Sequence, residues 1–419
     1  MTNDPRVMRP IPYMGVIYVV AEAMKLGFRN GHPDWCNLGQ GQPEVGVIEG
    51  APPRLMDIHL EPIDHAYGHI CGTEELRQVV ADHYNRLYRQ GKASKYTAEN
   101  VCIASGGRLM LSRIFATLGE VNLAYQTPDY TAYQDMIEYH QHRFTPVLLP
   151  ATEEDGFSVS PTTLEREVVS RGIGAFVVSN PCNPTGNVIQ GSDLKSYAEI
   201  ARTHKMLLIL DEFYSHFIYG KDGSPGSGPV SGASYVEDVN KDPLLLVDGL
   251  TKSFRYPGWR LSWAVGPAEM IDTIGRAASA IDGGASRLVQ RAAMAVLEPK
   301  RADGETDALR KAFSKKRNLM VEHLKQMNIR CCPEPEGTFY CWASIKELPA
   351  PLNRGEVFFT EALKHRVMTV PGAFFDVNPG NRRHGVSPFE SWVRFSFGPP
   401  LDNVAMGLER LESMLSVTV

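Results

Sequence analysis

Short hydrophobic runs alternate with longer amphipathic stretches through the middle of this chain. Runs that are almost continuously apolar are typical of strands buried on both faces of a sheet. They predict strands at residues 101–105, 122–126, 175–179, 206–211, 244–248 and 261–265. The stretches between them have helical spacing and predict helices at 74–88, 109–118, 131–139, 193–204 and 268–281. Strands that alternate with helices indicate crossover connections, so the predicted fold class is α/β, with a mostly parallel sheet covered by helices.

The pattern changes after about residue 300. A long charged helix is predicted at 307–327, followed by short strands near 338–344 and 392–397 and by helices at 355–365 and 403–415. This mixture predicts a second, smaller α+β domain. The segment 220–234 is rich in Gly, Ser and Pro and is predicted to be a surface loop.

Composition excludes several classes of protein. The 419 residues carry 43 Lys and Arg against 48 Asp and Glu, a net charge of −5, which argues against a nucleic-acid-binding surface. The most apolar stretch, residues 13–28, contains Glu22 and Lys25 and predicts an amphipathic helix rather than a membrane span. The preceding residues 1–12 contain Asp4 and several prolines and do not resemble a signal peptide. We therefore expect a soluble, cytoplasmic protein without membrane or nucleic-acid partners.

Cysteine and histidine usage gives no sign of a metal or disulfide framework. The seven cysteines are odd in number and contain no Cys-x-x-Cys pair, which is typical of reduced thiols inside a cell. The paired histidines, His65 with His69 and His140 with His142, do not form a zinc-protease signature. No metal site is predicted.

Three segments combine buried strands with polar residues at their carboxyl ends. Asn-Pro-Cys-Asn-Pro-Thr-Gly, at 180–186, follows the apolar run 175–179, and its two Asn-Pro steps enforce an extended turn. Four aliphatic residues lead directly into Asp211, whose burial requires a cationic or hydrogen-bonding partner. A protonated heterocycle nitrogen would serve; a metal ion is the alternative, although no second acidic or His-rich segment supplies further ligands.

Lys252 and Arg260 form the third segment. Lys252 follows the predicted strand 244–248, so its amine is expected to reach the same cleft as Asp211, and Arg260 lies eight residues further on, after a Pro-Gly turn. A lysine among apolar neighbours loses its proton readily and forms Schiff bases. The alternative is an ordinary exposed loop lysine, which is what most lysines are.

These three segments, in this order, resemble the class I/II aminotransferases, a group of fold-type I pyridoxal-phosphate (PLP) enzymes. The resemblance covers nearly the whole chain from about residue 36. It implies an N-terminal segment, residues 1–50, that joins the small domain, a large PLP-binding domain at 51–300 and a small C-terminal domain at 301–419.

The resemblance also implies roles for individual residues. Lys252 would hold the cofactor as an internal aldimine and shuttle the substrate's α-proton, while Asp211 would keep the pyridine nitrogen protonated. Asn183 and Tyr214 would hydrogen-bond the ring hydroxyl, and Arg260 would pair with the phosphate. Asp211 and Tyr214 are therefore predicted as catalytic residues together with Lys252.

Further residues match the family's phosphate, ring and partner contacts. Gly106 and Gly107, between a predicted strand and a helix, resemble the phosphate cradle at a helix N-terminus. Arg108, where small polar residues are commoner, is either an additional phosphate ligand or a solvent-facing side chain. Tyr130 matches the aromatic that stacks on the cofactor ring, and Tyr67 resembles the tyrosine that reaches the neighbouring subunit's phosphate. A homodimer with shared sites follows from this resemblance.

On the substrate side, Arg394 matches the arginine that binds the amino acid's α-carboxylate, and Gly41 matches a glycine whose backbone lies against that group. Asn183 is expected to contact substrate as well. Gly39-x-Gly41 has no strand–helix context that would indicate dinucleotide binding. The polar stretch 376–391, with Arg382, Arg383 and His384, is either a border of the substrate entrance or a solvated loop.

The chain departs from the family at Gly249, where a phosphate-binding serine is frequent, and at Thr338, where glycine is usual. A second arginine for a dicarboxylate substrate is not identifiable, so aspartate specificity is not predicted.

The resemblance predicts an aminotransferase that acts on an L-amino acid and a 2-oxo acid through aldimine, quinonoid and pyridoxamine phosphate forms. A PLP-dependent lyase, an aminocyclopropane-carboxylate-synthase-like enzyme or an amino-acid cyclase on the same fold is the alternative, because bond choice at Cα cannot be derived from these motifs. A transcription regulator with an aminotransferase-like domain is disfavoured, since only about 35 residues precede the matched region and they are not strongly basic.

Overall fold

Three β-sheets organise this structure, a computed structural model that describes residues 15–418. The strands in chain order are β1 Cys36–Asn37, β2 Val101–Ala104, β3 Asn122–Tyr125, β4 Thr145–Leu148, β5 Ile173–Ser179, β6 Leu207–Asp211, β7 Leu244–Gly249, β8 Ser262–Val265, β9 Arg330–Cys331, β10 Tyr340–Ser344, β11 Val367–Met368, β12 Val370–Pro371 and β13 Trp392–Ser396. The helices are α1 Gly15–Lys25, α2 Glu74–Tyr88, α3 Gly107–Thr117, α4 Ala132–Tyr139, α5 Pro161–Arg171, α6 Gly191–His204, α7 Ala268–Ile281, α8 Arg287–Val296, α9 Pro299–Gln326, α10 Gly355–Lys364 and α11 Leu401–Thr418.

The largest sheet has seven strands in the order β2-β8-β7-β6-β5-β3-β4. All pairs are parallel except those of β8, which runs antiparallel to both β2 and β7. Its central strands are buried on both faces because helices cover the sheet, which explains their nearly continuous apolar sequences. The predicted α/β class with a mostly parallel sheet is therefore confirmed. The carboxyl ends of the parallel strands all lie along one edge, where ligands of open α/β sheets bind.

A smaller antiparallel sheet, in the order β12-β13-β10-β9, forms from the C-terminal part of the chain. Aromatic side chains pack beside it, including Trp342 and Trp392, whose rings stack at a centroid distance of 5.4 Å. The N-terminal part reaches this region as well, since β1 pairs with β11 in parallel. The proposed domain boundaries near residues 50 and 300 stay a prediction.

The hydrophobic pattern does not predict strand β4 or helix α5, which both belong to the region of the large sheet. Strand β4 lies at the sheet edge, contains Pro146 and is only half-buried, so it lacks the apolar run of a central strand. Helix α5 begins at the Ser160 cap, whose side chain accepts a hydrogen bond from the Thr163 amide, and ends at Gly172 in the left-handed conformation.

Helix α9 starts eight residues earlier than predicted. Glu298 caps its first turn by accepting hydrogen bonds from the Lys300 and Arg301 amides, and Pro299 occupies the first helical position. Residues 13 and 14 of the predicted N-terminal helix lie outside the described residues, and α1 covers the remainder as far as Lys25. Among the residues described, no helix is long and apolar enough to span a bilayer.

Candidate active site

A cavity of about 460 Å³ opens at the carboxyl ends of the parallel strands. Most of the residues that the sequence singles out line it: Gly41, Gly107, Arg108, Tyr130, Asn183, Asp211, Tyr214, Lys252, Arg260 and Arg394. They come from five loops of the large sheet and from two segments of the opposite, smaller sheet region. Gly106 lies directly beside the cavity lining, at the start of α3, whereas Tyr67 is fully exposed and outside the lining.

Lys252 follows β7, and its Nζ donates a hydrogen bond to the Gly41 carbonyl oxygen. Burial, and then the positive charges of Arg394, Arg260 and Arg108, lower the pKa of the Lys252 amine to about 7 against the opposing effect of Asp211. An amine with such a pKa is substantially unprotonated near neutral pH. It can therefore act as a nucleophile toward a carbonyl carbon and as a proton acceptor.

Asp211 ends β6, on the floor of the same cavity. Burial raises the pKa of this carboxyl to about 6, although hydrogen bonds from Tyr133 and the Phe213 amide, and the charge of Lys252, favour its ionised form. The Tyr133 hydroxyl lies 2.9 Å from Asp211 Oδ2. A buried carboxylate held in this way is suited to pair with a cationic ring nitrogen.

Small residues shape one end of the cavity. Gly106 has a φ of +98°, and a Cβ there would lie 2.2 Å from the Arg260 guanidinium. A Cβ on Gly107, the first residue of α3, would lie 2.4 Å from the Phe213 ring. These glycines allow the first amide groups of a helix and the Arg260 guanidinium to converge, an arrangement that binds anions.

The cavity lining also contains a hydroxyl without a hydrogen-bond partner. Thr251 lines the cavity, and its buried Oγ1 makes no hydrogen bond. A Cβ on Gly249, the position that differs from the family, would lie only 2.4 Å from the Leu261 carbonyl oxygen. A serine therefore does not fit at residue 249, while Thr251, which the sequence did not single out, offers a free hydroxyl.

Arg108 and Tyr130 lie side by side. Arg108 Nε donates to the Tyr130 hydroxyl at 2.8 Å, and Arg108 is exposed as well as part of the cavity lining. The Arg108 side chain is thus partly exposed to solvent and partly in contact with the cavity, and it is not buried beside Gly106 and Gly107. Tyr130 packs edge-on against Tyr133, with ring centroids 5.5 Å apart, which couples it to the residue that holds Asp211.

Arg394, on β13, is buried and pre-arranged at the other end of the cavity. Its Nη1 donates to Asn183 Oδ1 at 2.8 Å and its Nη2 to the Gly39 carbonyl oxygen at 2.7 Å, while its Nε has no partner. The guanidinium packs over the Tyr340 ring, and the Tyr340 hydroxyl lies 2.8 Å from that of Tyr214. An unsatisfied, buried guanidinium beside a cavity is suited to a carboxylate.

The segment 376–391 does not line this cavity. Arg383 donates to Asp376 and to the Val377 carbonyl oxygen, and Arg382 donates to Gln141. The structure therefore supports the solvated-loop alternative for this stretch. Residues that the sequence missed include Thr251, Tyr133, Tyr340 and Ser179; only Thr251, adjacent to Lys252, carried a local sequence signal.

Comparison with known proteins decides the family. The family model described as "Aminotransferase class I and II" matches residues 33–411. This chain belongs to the class I and II aminotransferase family. It is a PLP-dependent transaminase, and nothing in the comparisons favours the lyase alternative.

Individual relatives cover almost the full chain. An aspartate aminotransferase of Sulfurisphaera tokodaii is 26% identical over 390 residues, 91% of this chain and 90% of the relative. An LL-diaminopimelate aminotransferase of Halothermothrix orenii is 26% identical over 416 residues, 99% of this chain and 98% of the relative. The solved structure of the Thermus thermophilus aspartate aminotransferase with maleate superposes with a TM-score of 0.78 at 22% identity, covering 96% and 97% of the two chains.

The cavity fits PLP by its own chemistry. It combines an amine with a lowered pKa, a buried carboxyl, an anion-binding helix start and an unpartnered hydroxyl, at Lys252, Asp211, Gly107 and Thr251. These are the groups required to hold an aldehyde, a pyridine nitrogen and a phosphate.

Proposed function

We propose that this aminotransferase exchanges the amino group between an L-amino acid and a 2-oxo acid with Lys252, Asp211 and Tyr214 as its catalytic residues. The observation that carries the proposal is the state of Lys252: a partly buried amine with a pKa of about 7 that is influenced by the charges of three arginines and of Asp211. No other arrangement in the cavity provides a neutral amine beside a buried acid.

PLP, when bound, supplies an electron sink for the charge that develops at the substrate Cα. Asp211 would pair its negative charge with the ring nitrogen, and the Tyr133 hydroxyl stabilises that charge by donating a hydrogen bond to Asp211. Lys252 would hold the cofactor through Nζ, and its free amine would accept the substrate's Cα proton and return it. Tyr214, whose hydroxyl contacts Tyr340, is positioned to donate to the ring hydroxyl together with Asn183.

The substrate's α-carboxylate pairs with Arg394, whose free Nε and remaining N–H groups point to this role. Asn183 and the Gly39 carbonyl fix the guanidinium in place, so little conformational freedom is lost on binding. The backbone of Gly41 completes the contact. Its carbonyl oxygen accepts a hydrogen bond from Lys252 and so lies within reach of the reacting centre.

The phosphate is held by Arg260, the amide groups at Gly106 and Gly107, and the Thr251 hydroxyl. Arg108 adds positive charge at this end and holds the Tyr130 hydroxyl. Tyr130 would stack on the cofactor ring. A bound phosphate would neutralise Arg260 and Arg108, two of the three arginines that lower the pKa of the Lys252 amine.

The enzyme is proposed to be a homodimer in which Tyr67 reaches the neighbouring site. Tyr67 is fully exposed, and the same stretch of chain carries further exposed apolar side chains at Val47, Met56, Ile58 and Ile63. Exposed apolar surface of this kind marks protein interfaces. All seven cysteines are free thiols, which supports a cytoplasmic location.

Replacement of Lys252 tests the covalent role. Lys252→Ala should abolish the borohydride-reducible attachment of PLP, detected as added mass on the intact protein. Lys195→Ala, an exposed lysine on α6, is the matched control and should retain the attachment. A retained attachment in Lys252→Ala would contradict the assignment.

Replacement of Arg394 tests the carboxylate role. Arg394→Ala removes charge-assisted hydrogen bonds worth about 1.5–3 kcal/mol each, so kcat/KM for an amino acid should fall about 100-fold or more. The corresponding amine, which lacks the carboxylate, should lose far less. Equal losses for both compounds would mean that the carboxylate binds elsewhere.

Mixing two inactive variants tests the shared site. Tyr67→Ala and Lys252→Ala subunits each lack one group, but a mixed dimer contains one site with Lys252 from one chain and Tyr67 from the other. Activity should therefore return on subunit exchange. If no activity returns while mixed dimers form, Tyr67 does not act across the interface.

A further inference from the structure

Asp129 is a buried carboxyl just behind the candidate active site. It lies between β3 and α4, is completely buried and does not belong to the cavity lining. Its Oδ1 accepts hydrogen bonds from the Tyr130 amide at 2.7 Å and from the Ser179 hydroxyl at 2.5 Å. Burying a carboxyl is costly, so its position needs an explanation beyond packing.

The Ser179 hydroxyl links Asp129 to Asn183, which lies toward the substrate end of the cavity. It has one proton, which it donates to Asp129, and its oxygen accepts a hydrogen bond from the backbone N–H of Asn183 at 3.1 Å. A hydroxyl can rotate and exchange these roles unless one neighbour can only donate or only accept. The Asn183 backbone N–H can only donate, so a lone pair of the Ser179 oxygen faces it, and Asp129 Oδ1 receives the Ser179 proton and fixes the rotation of the hydroxyl.

Asn183 then fixes the arginine. Its side-chain oxygen accepts the hydrogen bond from Arg394 Nη1 at 2.8 Å. Each of the four residues is at least 95% buried, so water does not compete for these bonds. A second route leads the same way, since the Asp129 amide donates to the carbonyl oxygen of Phe375, whose ring lies 4.9 Å from the Arg394 guanidinium carbon.

We infer that Asp129 is a positioning residue for the substrate's carboxylate: through Ser179 and Asn183 it sets the orientation of Arg394. The inference rests on the proposed function, because it takes Arg394 as the carboxylate-binding residue. Asp129 itself touches neither substrate nor cofactor. Its contact with the Tyr130 amide means that the same carboxyl also anchors the start of the ring-stacking segment.

The charge of Asp129 is consistent with this passive role. Burial, and then the nearby charge of Asp211, raise the pKa of Asp129 to about 8, while Asp211 has a pKa of about 6. Asp211 therefore ionises first. Asp129 retains an oxygen that accepts the Ser179 proton whether or not it is protonated.

The test compares ligands that differ only in the carboxylate. 2-Methylalanine has no α-proton to lose and binds without turnover, and tert-butylamine is its analogue with a methyl group in place of the carboxylate and likewise no α-proton. The change in absorbance of the PLP-loaded enzyme gives both dissociation constants. Asp129→Ala should weaken 2-methylalanine binding about tenfold and leave tert-butylamine binding within about twofold, because one buried hydrogen bond that orients Arg394 is lost.

Two further variants separate positioning from general damage. Asp129→Asn retains an acceptor oxygen for Ser179 and should restore 2-methylalanine binding to within about threefold of the natural protein. Ser179→Ala breaks the same series of hydrogen bonds while the Asp129 carboxyl remains in place and keeps its bond from the Tyr130 amide, so it should reproduce the selective loss even if Asp129→Ala fails to fold. In an Arg394→Ala background, Ser179→Ala should have no additional effect on 2-methylalanine.

Equal weakening of both ligands by Asp129→Ala and Ser179→Ala would overturn the inference and leave Asp129 a purely structural residue. An Asp129→Asn variant as impaired as Asp129→Ala would overturn it too. The failure of the proposed function has a different signature: Arg394→Ala itself would then weaken both ligands equally.

Discussion

Removing the hydroxyl of Tyr133 tests most directly what stabilises the charge of Asp211. Tyr133→Phe removes this one atom, and the ring remains to pack edge-on against Tyr130. Asp211 then keeps the amide of Phe213 as its hydrogen-bond donor but loses the one to Oδ2. The perturbation changes hydrogen bonding to the carboxyl while leaving core packing almost unaltered.

The expected change in the pKa of Asp211 follows from how strongly the Tyr133 hydrogen bond favours the ionised carboxyl. A hydrogen bond to a charged group contributes about 1.5–3 kcal/mol. A hydrogen bond to the protonated carboxyl contributes about 0.5–1.5 kcal/mol, so its removal penalises the ionised form by about 1–1.5 kcal/mol more than the protonated form. One pKa unit corresponds to about 1.4 kcal/mol, so loss of the bond should raise the pKa of Asp211 by about one unit above its present value of about 6. A buried acid whose pKa is raised loses stability as the pH rises through that pKa, because the ionised form is penalised in the folded state.

Urea unfolding of the cofactor-free protein at pH 5 and pH 8.5 measures this effect. At pH 5 most of Asp211 is protonated in both proteins, so Tyr133→Phe should cost about 0.5–1.5 kcal/mol, as for a neutral hydrogen bond. At pH 8.5 the cost should rise to about 1.5–3 kcal/mol. PLP affinity should fall in the same variant, since the negative partner of the ring nitrogen is weakened.

Tyr197→Phe is the matched control. Tyr197 is also a fully buried tyrosine, but its hydroxyl donates to the neutral Val159 carbonyl oxygen on the opposite side of the sheet. Tyr197→Phe should lower the free energy of unfolding by the same amount at pH 5 and at pH 8.5. A cost of Tyr133→Phe that does not change with pH would refute the coupling between Tyr133 and the ionised Asp211.

Three further outcomes are expected at the phosphate and lysine ends. Gly107→Ala, whose Cβ would lie 2.4 Å from Phe213, should weaken PLP binding at least tenfold by equilibrium dialysis, whereas Gly119→Ala, with open space around it, should not; equal affinities would show that the cradle tolerates a side chain. Gly249→Ser should lower the free energy of unfolding by about 1–3 kcal/mol, because its Cβ meets strand backbone; an unchanged urea midpoint would contradict this. The rate at which the cofactor-free protein captures PLP should rise with pH around a midpoint near 7, the pKa of Lys252, and a midpoint near that of an ordinary lysine would contradict the burial argument.

The sequence predicted those parts of the fold whose local signals agree with the tertiary structure. Helix α2 has the bounds expected for residues 74–88 because Thr73 caps it and acidic residues occupy its first turn. Strand β5 follows from its apolar run. The edge strand β4 was missed because an edge strand need not be apolar on both faces.

The residues of the site also divide into those that the sequence predicts and those that it does not. Asp211 and Lys252 follow apolar strands, and parallel strands bring their carboxyl ends together, so their meeting in one cavity follows from the pattern. Tyr133, Ser179 and Asp129 contribute through contacts between distant parts of the chain. Nothing in their local sequence distinguishes such residues from ordinary buried side chains.

The central claim is transamination, and a single-turnover reaction tests it most directly. The purified PLP enzyme is mixed with a panel of amino acids in the absence of any 2-oxo acid, and absorbance, 2-oxo acid and ammonia are followed. The account predicts that at least one amino acid converts the cofactor to pyridoxamine phosphate and releases one equivalent of 2-oxo acid per site, without ammonia. Recovery of the original spectrum while ammonia or another fragment accumulates would contradict transamination and indicate an elimination or cyclisation instead.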